Sequence, residues 1–373
     1  MGSSLRVGYD ARMALGAYRG MGSVLRDAID NQEAEFIGLC ATGESDATLR
    51  LEPGGFRFYP LWEQLSLPRR VRQLRPDYFL APYNTAPLFL PRGVRLIMIV
   101  YDLIYMEPIS RLPLSPSLYQ NVGRFYRRVV VPRAVAKAER ILTISEYSKS
   151  GIVSRLGVDP ARITIIPCSI PDSWYVTDPI PLDARENYIF CVGGETASKN
   201  LPRAIEAYAR SLAAAPNAAA FPELRIAGVS AAAQPRLAEV AQQNGAGGRV
   251  HFLPYLPLAE LQAIYRGARL VFVPSLQEGF GIPLLEAMAS GTPAVSSNAT
   301  SLPEVGGTAP RYVDPLSVSA MMRGLQEMLS SPALQQASAE AGLRQAASFR
   351  GLAQRSYARF WRELAAQREA KSN

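Results

Sequence analysis

The chain has 373 residues, 48% hydrophobic and 19% charged, which fits a folded, globular protein of about two domains. Its net charge of +8 is uneven: residues 1–175 carry 22 Lys and Arg against 16 Asp and Glu, and the remainder carries 18 against 16. Three cysteines (Cys40, Cys168, Cys191) with no Cys-x-x-Cys or Cys/His spacing argue against a disulfide framework and a zinc site.

Neither an apolar leader nor a run of ~18 apolar residues is present, which predicts a cytoplasmic protein whose membrane contact, if any, is peripheral. The basic excess comes largely from Arg69, Arg70, Arg72, Arg75 and from Arg124, Arg127, Arg128, Arg133, Lys137 and Arg140. Such a face suits anionic headgroups at the inner surface of a membrane, a phosphorylated acceptor, or plain solvation. No recognised RNA or DNA module accompanies it, so nucleic acid is not expected as a partner.

In chain order, a strand at 5–10 is followed by a glycine-containing loop at 16–22 and a helix at 23–29. Strands are expected at 34–39, 78–81, 96–100, 140–144 and 163–166, with helices at 61–74, 118–138 and 146–156. Strands alternating with helices predict a parallel α/β domain over 1–172. A proline-rich, non-periodic stretch then reads as a linker over 173–186. A second alternation fills 187–350: strands at 188–192, 223–227, 250–252, 269–273 and 294–296, and helices at 201–213, 233–244, 258–267 and 318–329. The tail 351–373 has Leu352, Tyr357, Phe360, Trp361 and Leu364 at helical spacing. Open parallel sheets bind ligands at the carboxyl ends of their strands, so the expected site lies where two such domains face each other.

The most informative stretch is Gln277-Glu278-Gly279-Phe280-Gly281-Ile282-Pro283, which continues to Glu286 and Gly291-Thr292-Pro293. It follows the apolar run Leu270–Pro274, so it joins a buried strand to a helix. Glycines allow close backbone approach, and the amide end of the helix favours a phosphate. Glu278 and Glu286 would then hold sugar hydroxyls, the arrangement of a nucleotide-sugar site. The plain alternative is a solvated loop acid and a first-turn helix acid.

A second cluster, Gly193-Gly194-Glu195-Thr196-Ala197-Ser198-Lys199-Asn200, places a lysine before a helix, where an anion would offset the unfavourable macrodipole. A third, Arg19-Gly20-Met21-Gly22, is a weaker signal that a tight turn explains equally well. Ser301-Leu302-Pro303-Glu304 has the form of a capping box.

Taken together, Glu278-x7-Glu286 with its flanking residues, Ser198-Lys199-Asn200-Leu201, Ser301-Leu302-Pro303-Glu304-Val305 and the N-terminal glycine loop resemble the retaining glycosyltransferases of family 4. The resemblance spans nearly the whole chain and is specific over 188–315. It implies the α/β GT-B fold, with two Rossmann-like domains whose parallel sheets face across a cleft, and a C-terminal helix crossing back to the first domain. Glu286 would bind the nucleotide ribose and Glu278 the donor sugar. Backbone groups at Gly279, Phe280, Gly281 and Leu285 would meet the sugar and phosphates, and Tyr255 would lie near the base. Lys199, beside Asn200 and with Gly20, Met21 and Gly22, would neutralise the leaving diphosphate.

Two positions depart from the family pattern. Gly193 and Gly194 stand where many members have arginine, leaving Arg203 or Arg19 as substitutes. Tyr101-Asp102 stands where relatives often have His-Asp, so these two are the acceptor-side candidates, with Tyr101 a poor base at its ordinary pKa of ~10. His251 reads as structural.

With no Asp-x-Asp element, no metal or other cofactor is implied. The expectation is retaining transfer of a hexosyl unit, mannose or a related deoxyhexose, from a GDP-linked donor to a surface-polysaccharide or lipid-linked glycan. The alternatives are a UDP- or dTDP-sugar donor, a GT-B nucleotide-sugar epimerase, or a binding subunit without turnover.

Overall fold

The computed structural model describes residues 5–15, 20–109, 118–194 and 196–372. These fall into two compact units: one holds residues 5–108, 118–169 and 351–372, and the other runs Ile170–Arg350.

The first unit is built on seven parallel strands in the order β3-β2-β1-β4-β5-β6-β7. They are β1 (Leu5–Asp10), β2 (Ala34–Cys40), β3 (Leu51–Pro53), β4 (Tyr78–Ala81), β5 (Arg95–Ile99), β6 (Arg140–Thr143) and β7 (Ile163–Ile165). Helix α1 (Met21–Ile29) starts two residues earlier than the sequence suggests, because Gly20 adopts φ +58 and lets the chain turn directly into it. A helical stretch passes from α2 (Tyr59–Leu61) through a wide π turn at Trp62–Ser66 into α3 (Leu67–Leu74). Then come α4 (Leu118–Lys137) and α5 (Glu146–Leu156), the latter capped by the Ser145 hydroxyl, which accepts from Ser148 N.

The core of this unit packs Trp62, Phe79, Met98, Val131 and Ile141, all fully buried. Strands covered on both faces need such continuous apolar runs.

The second unit has six parallel strands in the order β10-β9-β8-β11-β12-β13. They are β8 (Glu186–Val192), β9 (Glu223–Ala227), β10 (Val250–Phe252), β11 (Ala268–Val273), β12 (Ala294–Ser297) and β13 (Arg311–Val313). Its helices are α6 (Leu201–Ala213), α7 (Gln234–Gln243), α8 (Leu258–Gly267), α9 (Ile282–Ala289), α10 (Leu302–Gly306), α11 (Val318–Ser330) and α12 (Pro332–Phe349). After α12 the chain rejoins the first unit as α13 (Leu352–Ser372). There Trp361, fully buried, donates its indole N–H to Ala28 O at 2.8 Å and meets Phe36 edge-on at 5.2 Å.

Three features differ from the sequence reading. The stretch read as a linker is packed structure of the second unit: Trp174 is buried edge-to-face on Tyr265 at 5.1 Å, and the Arg185 guanidinium donates to Arg266 O, Ala268 O, Gly291 O and Thr292 Oγ1. Burial with no carboxylate beside it lowers the Arg185 pKa to about 10. Helix α12 gave no apolar stripe because its buried face is Gln335, Ser338, Ala339, Gly342 and Ala346, with Gly342 lying close against Met288 of α9. Strands β3 and β13 have three residues each, too short to show a period.

Candidate active site

In the second sheet the chain leaves β8 toward one edge and returns as β11 on its other side, so β8 and β11 flank the switch point where their two following loops diverge. Those loops are the two strongest sequence clusters, and the fold ties them together. Leu276 N donates to Ser198 O at 2.7 Å. Asn200, buried and left-handed at φ +59, donates from Nδ2 to Pro274 O at 3.0 Å and Pro315 O at 2.7 Å. A non-glycine residue held in that region marks a turn the surrounding bonds over-determine.

On this frame Lys199 Nζ meets Glu278 Oε1 at 2.7 Å, and Ser275 Oγ donates to the same oxygen at 2.8 Å. The anion that Lys199 calls for is thus supplied within the chain by Glu278. Both side chains keep some access to solvent, 21% for the lysine and 13% for the glutamate.

The Glu278–Gly281 loop is shaped from the far side by Thr300 and Ser301. Glu278 N donates to Thr300 Oγ1 at 3.1 Å, while Ser301 Oγ donates to Phe280 O at 2.7 Å and Glu278 O at 3.1 Å. The capping-box reading of Ser301 is therefore corrected: the residue precedes α10 but its side chain makes no cap bond, because its hydroxyl is turned to the loop. Thr300 stands at φ +59, a costly conformation for a β-branched residue.

Gly281 adopts φ +112, and a methyl group there would come within 2.7 Å of Leu302 Cδ2. Helix α9 begins immediately after, with Pro283 in its first turn. Phe280 is buried edge-on to Phe349 at 5.6 Å, which leaves only its backbone for a ligand. Leu285 N already donates to Gly281 O at 3.1 Å, so it reaches a ligand only as a shared donor.

Glu286 lies in the second turn of α9, not the first, so the macrodipole account of it fails. Its Oε2 accepts from Tyr265 Oη at 2.8 Å. Tyr265 is fully buried between Trp174 and Phe190, with ring centroids 5.1 and 4.8 Å away, and burial together with the Glu286 charge drives its pKa well above 10. A protonated, immobile phenol thereby fixes the carboxylate. Neither Tyr265 nor Trp174 was marked by the sequence, where both look like ordinary core.

The remaining second-unit candidates separate. A methyl at Gly193 would meet Leu201 Cδ1 at 2.8 Å and Ile226 Cγ2 at 3.1 Å, and one at Gly194 would meet Lys199 Cγ at 3.3 Å, so no arginine fits at Gly193. Arg203 donates to Asn200 Oδ1 at 3.2 Å and acts as a buttress of the turn. Arg19 and Glu195 lie outside the described residues. Tyr255 follows edge strand β10, two strands from β11's neighbour β8, and is 75% exposed. His251 pairs with Glu223 at 3.6 Å on that same edge. A cavity of about 310 Å³, lined by Ala214, Phe221, Arg269 and Leu329, touches none of these residues.

In the first unit, β1 and β4 flank the corresponding switch point. The Tyr101 ring is 5% exposed, with Oη donating to Met21 O at 3.3 Å, its N donating to Asn84 Oδ1 at 2.7 Å and its carbonyl accepting from Ser148 Oγ at 2.7 Å. Burial raises its pKa well above 10. Tyr101 thus braces the Gly20–Met21–Gly22 turn, and the base role is physically disfavoured. Asp102 Oδ1 accepts from Ile104 N at 3.0 Å, capping a short turn.

The same strand ends carry a polar cluster the sequence reading missed. Arg12 forks onto Asp10 at 3.0 and 2.8 Å, and buried Glu63 accepts from Tyr59, Thr85 and Tyr126 hydroxyls at 2.5–2.7 Å. Burial raises the Glu63 pKa, and the three hydroxyls partly restrain it. Among the described residues, no group of three or more His, Cys, Asp or Glu stands together as a metal-ligand set.

Two parallel α/β sheets, each with a switch-point site, are the architecture of GT-B glycosyltransferases. Solved structures with this fold include WaaG, a glycosyltransferase involved in lipopolysaccharide biosynthesis (TM-score 0.71, 16% identity, 95% of this chain and 98% of that one). Another is HepE of Anabaena in complex with UDP and glucose (TM-score 0.70, 16% identity, 97% and 100%). The family model described as "Glycosyl transferases group 1" matches residues 177–345, and "Glycosyltransferase Family 4" matches 32–174.

O-antigen chain mannosyltransferase B of Escherichia coli is 31% identical over 76% of this chain and 74% of its own length. MMP alpha-(1->4)-mannosyltransferase of Mycolicibacterium hassiacum is 30% identical over 57% and 50% respectively, and O-antigen chain mannosyltransferase RfbU of Salmonella typhimurium 28% over 57% and 58%. For these last two the match spans about half of the relative's length. The chain belongs to glycosyltransferase family 4 and is a glycosyltransferase of the GT-B fold.

Proposed function

We propose that this enzyme transfers a hexosyl unit, mannose or a related deoxyhexose, from a GDP-linked donor to a hydroxyl of a growing surface-polysaccharide or lipid-linked glycan, with retention and without a metal. The observation that carries the reading is the Lys199–Glu278 pair at the β8–β11 switch point, beside the amino end of α9. A donor diphosphate placed there meets a cation and a helix dipole, and the sugar meets a carboxylate already oriented by Ser275. Glu286, held by Tyr265, takes the ribose hydroxyls.

In the reaction the bond from the anomeric carbon to the phosphate oxygen breaks and its electron pair passes to the diphosphate. The acceptor oxygen bonds to the same face of that carbon, and its proton goes to the departing phosphate oxygen. No strong protein base is needed, in keeping with Tyr101 being buried and protonated. Relatives named as mannosyltransferases support the sugar. A fold neighbour solved with UDP and glucose supports a nucleotide-sugar donor and keeps the UDP alternative in view.

The test is calorimetric titration of the purified protein with GDP-mannose, UDP-glucose and dTDP-rhamnose, followed by transfer to a lipid-linked acceptor with and without EDTA. Saturable binding of GDP-mannose and EDTA-resistant transfer are expected. Preference for another donor redirects the sugar, binding without transfer points to a subunit lacking turnover, and conversion of the sugar without acceptor points to an epimerase.

A further inference from the structure

The stretch read as a linker brings one unusual group into the second unit. Arg185 is buried, and among the described residues its guanidinium has four hydrogen-bond acceptors but no carboxylate. Its Nε is buried with no partner at all. Burying a cation without a counterion is destabilising, and a neutral donor would join two loops at less cost. The acceptors explain the choice of a cation.

Arg185 Nη1 donates to Arg266 O at 2.9 Å and Ala268 O at 3.1 Å, at the end of α8, and Nη2 donates to Gly291 O at 2.8 Å, in the turn that ends α9. Helix C-termini carry unsatisfied carbonyls and partial negative charge, so two of them together stand in for a counterion. The same Nη1 donates to Thr292 Oγ1 at 3.0 Å, and that hydroxyl donates to Tyr265 O at 2.7 Å. The rest of the incoming segment reinforces the staple. Gln262 Nε2 donates to Ser173 Oγ at 2.7 Å, and Val176 N donates at 3.1 Å to Ala289 O, on the last residue of α9.

The helix ends joined in this way carry the two groups that meet in the site. Tyr265 lies in the last turn of α8 and Glu286 in the second half of α9, with Tyr265 Oη donating to Glu286 Oε2 at 2.8 Å. A hydrogen bond between two helices keeps its length and angle only while the helices keep their spacing. We propose that Arg185 is a positioning residue for the donor. By locking the ends of α8 and α9 together it holds the Tyr265 phenol on Glu286 and so fixes that carboxylate for the ribose hydroxyls. The inference rests on the reading of Glu286 as the ribose ligand.

The experiment is calorimetric titration of the full chain with GDP and with UDP, each against its 2′,3′-dideoxy form. These nucleotides lack the sugar, so contacts to Glu278 through the sugar do not enter. The proteins compared are the wild type, Glu286→Ala, Arg185→Lys and Thr292→Val. Lysine keeps the charge but loses the planar fork that spans both helix ends. Valine keeps the shape of Thr292 without its hydroxyl, a gentler cut in the same link that serves if Arg185→Lys folds poorly.

For the nucleotide that binds more tightly, the wild type is expected to prefer the ribose form by roughly 10- to 100-fold, the scale of hydrogen bonds to a charged group. The preference vanishes in Glu286→Ala and falls to a few-fold in Arg185→Lys. Thr292→Val lies between that variant and the wild type, while the dideoxy forms bind all four proteins alike.

A purely structural Arg185 would lower the melting temperature or weaken both forms equally. The preference would then keep its wild-type value in the variants that fold, which overturns the proposal and leaves the Glu286 reading standing. A wild type that binds both forms equally, or a preference that survives in Glu286→Ala, overturns the ribose reading and the proposal with it.

Discussion

The two units use the same strand order around their switch points but treat the polar groups there in opposite ways. In the second unit Lys199 and Glu278 touch each other and also stay partly open to solvent, so an incoming ligand can exchange one partner for another. In the first unit Tyr101 is sealed against Met21, and Glu63 is buried under three hydroxyls. Open, mutually oriented charges are what a changing charge distribution needs, whereas sealed ones fix a shape. The contrast supports the proposed chemistry at the second unit's loops and a scaffolding role for the first unit's Tyr101 and Glu63.

The sharpest way to break this contrast is Glu278→Gln. With Lys199 left opposite a neutral amide, turnover should fall by roughly 10²–10³, the scale of losing one preorganised electrostatic partner, while far-UV circular dichroism stays unchanged. A wild-type rate would return Glu278 to the status of a solvated loop acid.

Next in size is Gly193→Ala, whose new methyl presses on Leu201, Ile226 and Val229. A cost of about 1–3 kcal/mol is expected, lowering Tm by about 2–4 °C per kcal/mol. Calorimetry checks it, and an unshifted transition would mean the turn has room for a side chain at this position.

The pH dependence of stability tests the sealed side. Glu63 has its folded pKa raised by burial, so its contribution is fully present below the unfolded carboxyl pKa and is lost as pH rises through the folded value. Glu63→Gln should flatten that decline in urea melts as pH rises above the ordinary carboxyl pKa of about 4.3. An unchanged slope would show that other groups cause it.

The smallest effect is expected from Tyr101→Phe: a few-fold loss at most, through a looser Gly20–Met21 turn, with the pH profile of kcat unmoved. A lost basic limb would make Tyr101 chemical after all.

Much of the candidate site's local geometry was legible in the sequence because its signals are local. A buried strand, two glycines, two acids and a proline within one connection define the Glu278–Glu286 loop whatever surrounds it. Lys199 before α6 was equally visible, although its partner was not, since Glu278 lies 79 residues away in sequence. What stayed hidden depends on contacts between distant segments.

Ser301 fits a capping pattern yet serves the 278–280 carbonyls. Trp174 looks like part of a linker yet, with Phe190, wedges the Tyr265 ring whose phenol is bonded to Glu286. Glu63 was an unremarkable acid in a helix, and only the fold shows three hydroxyls converging on it. Arg124 and Arg128 counted toward a basic surface, but a tally of charges carries no information on which side chains turn inward to hold carbonyls.

The account rests most directly on Lys199. Single-turnover transfer from saturating GDP-mannose should be at least ~100-fold slower in Lys199→Ala than in the wild type, with Tm little changed, since the Lys199–Glu278 pair is partly open to solvent. A variant that transfers within a few-fold of the wild-type rate would contradict the central claim that the Lys199–Glu278 pair carries the reaction.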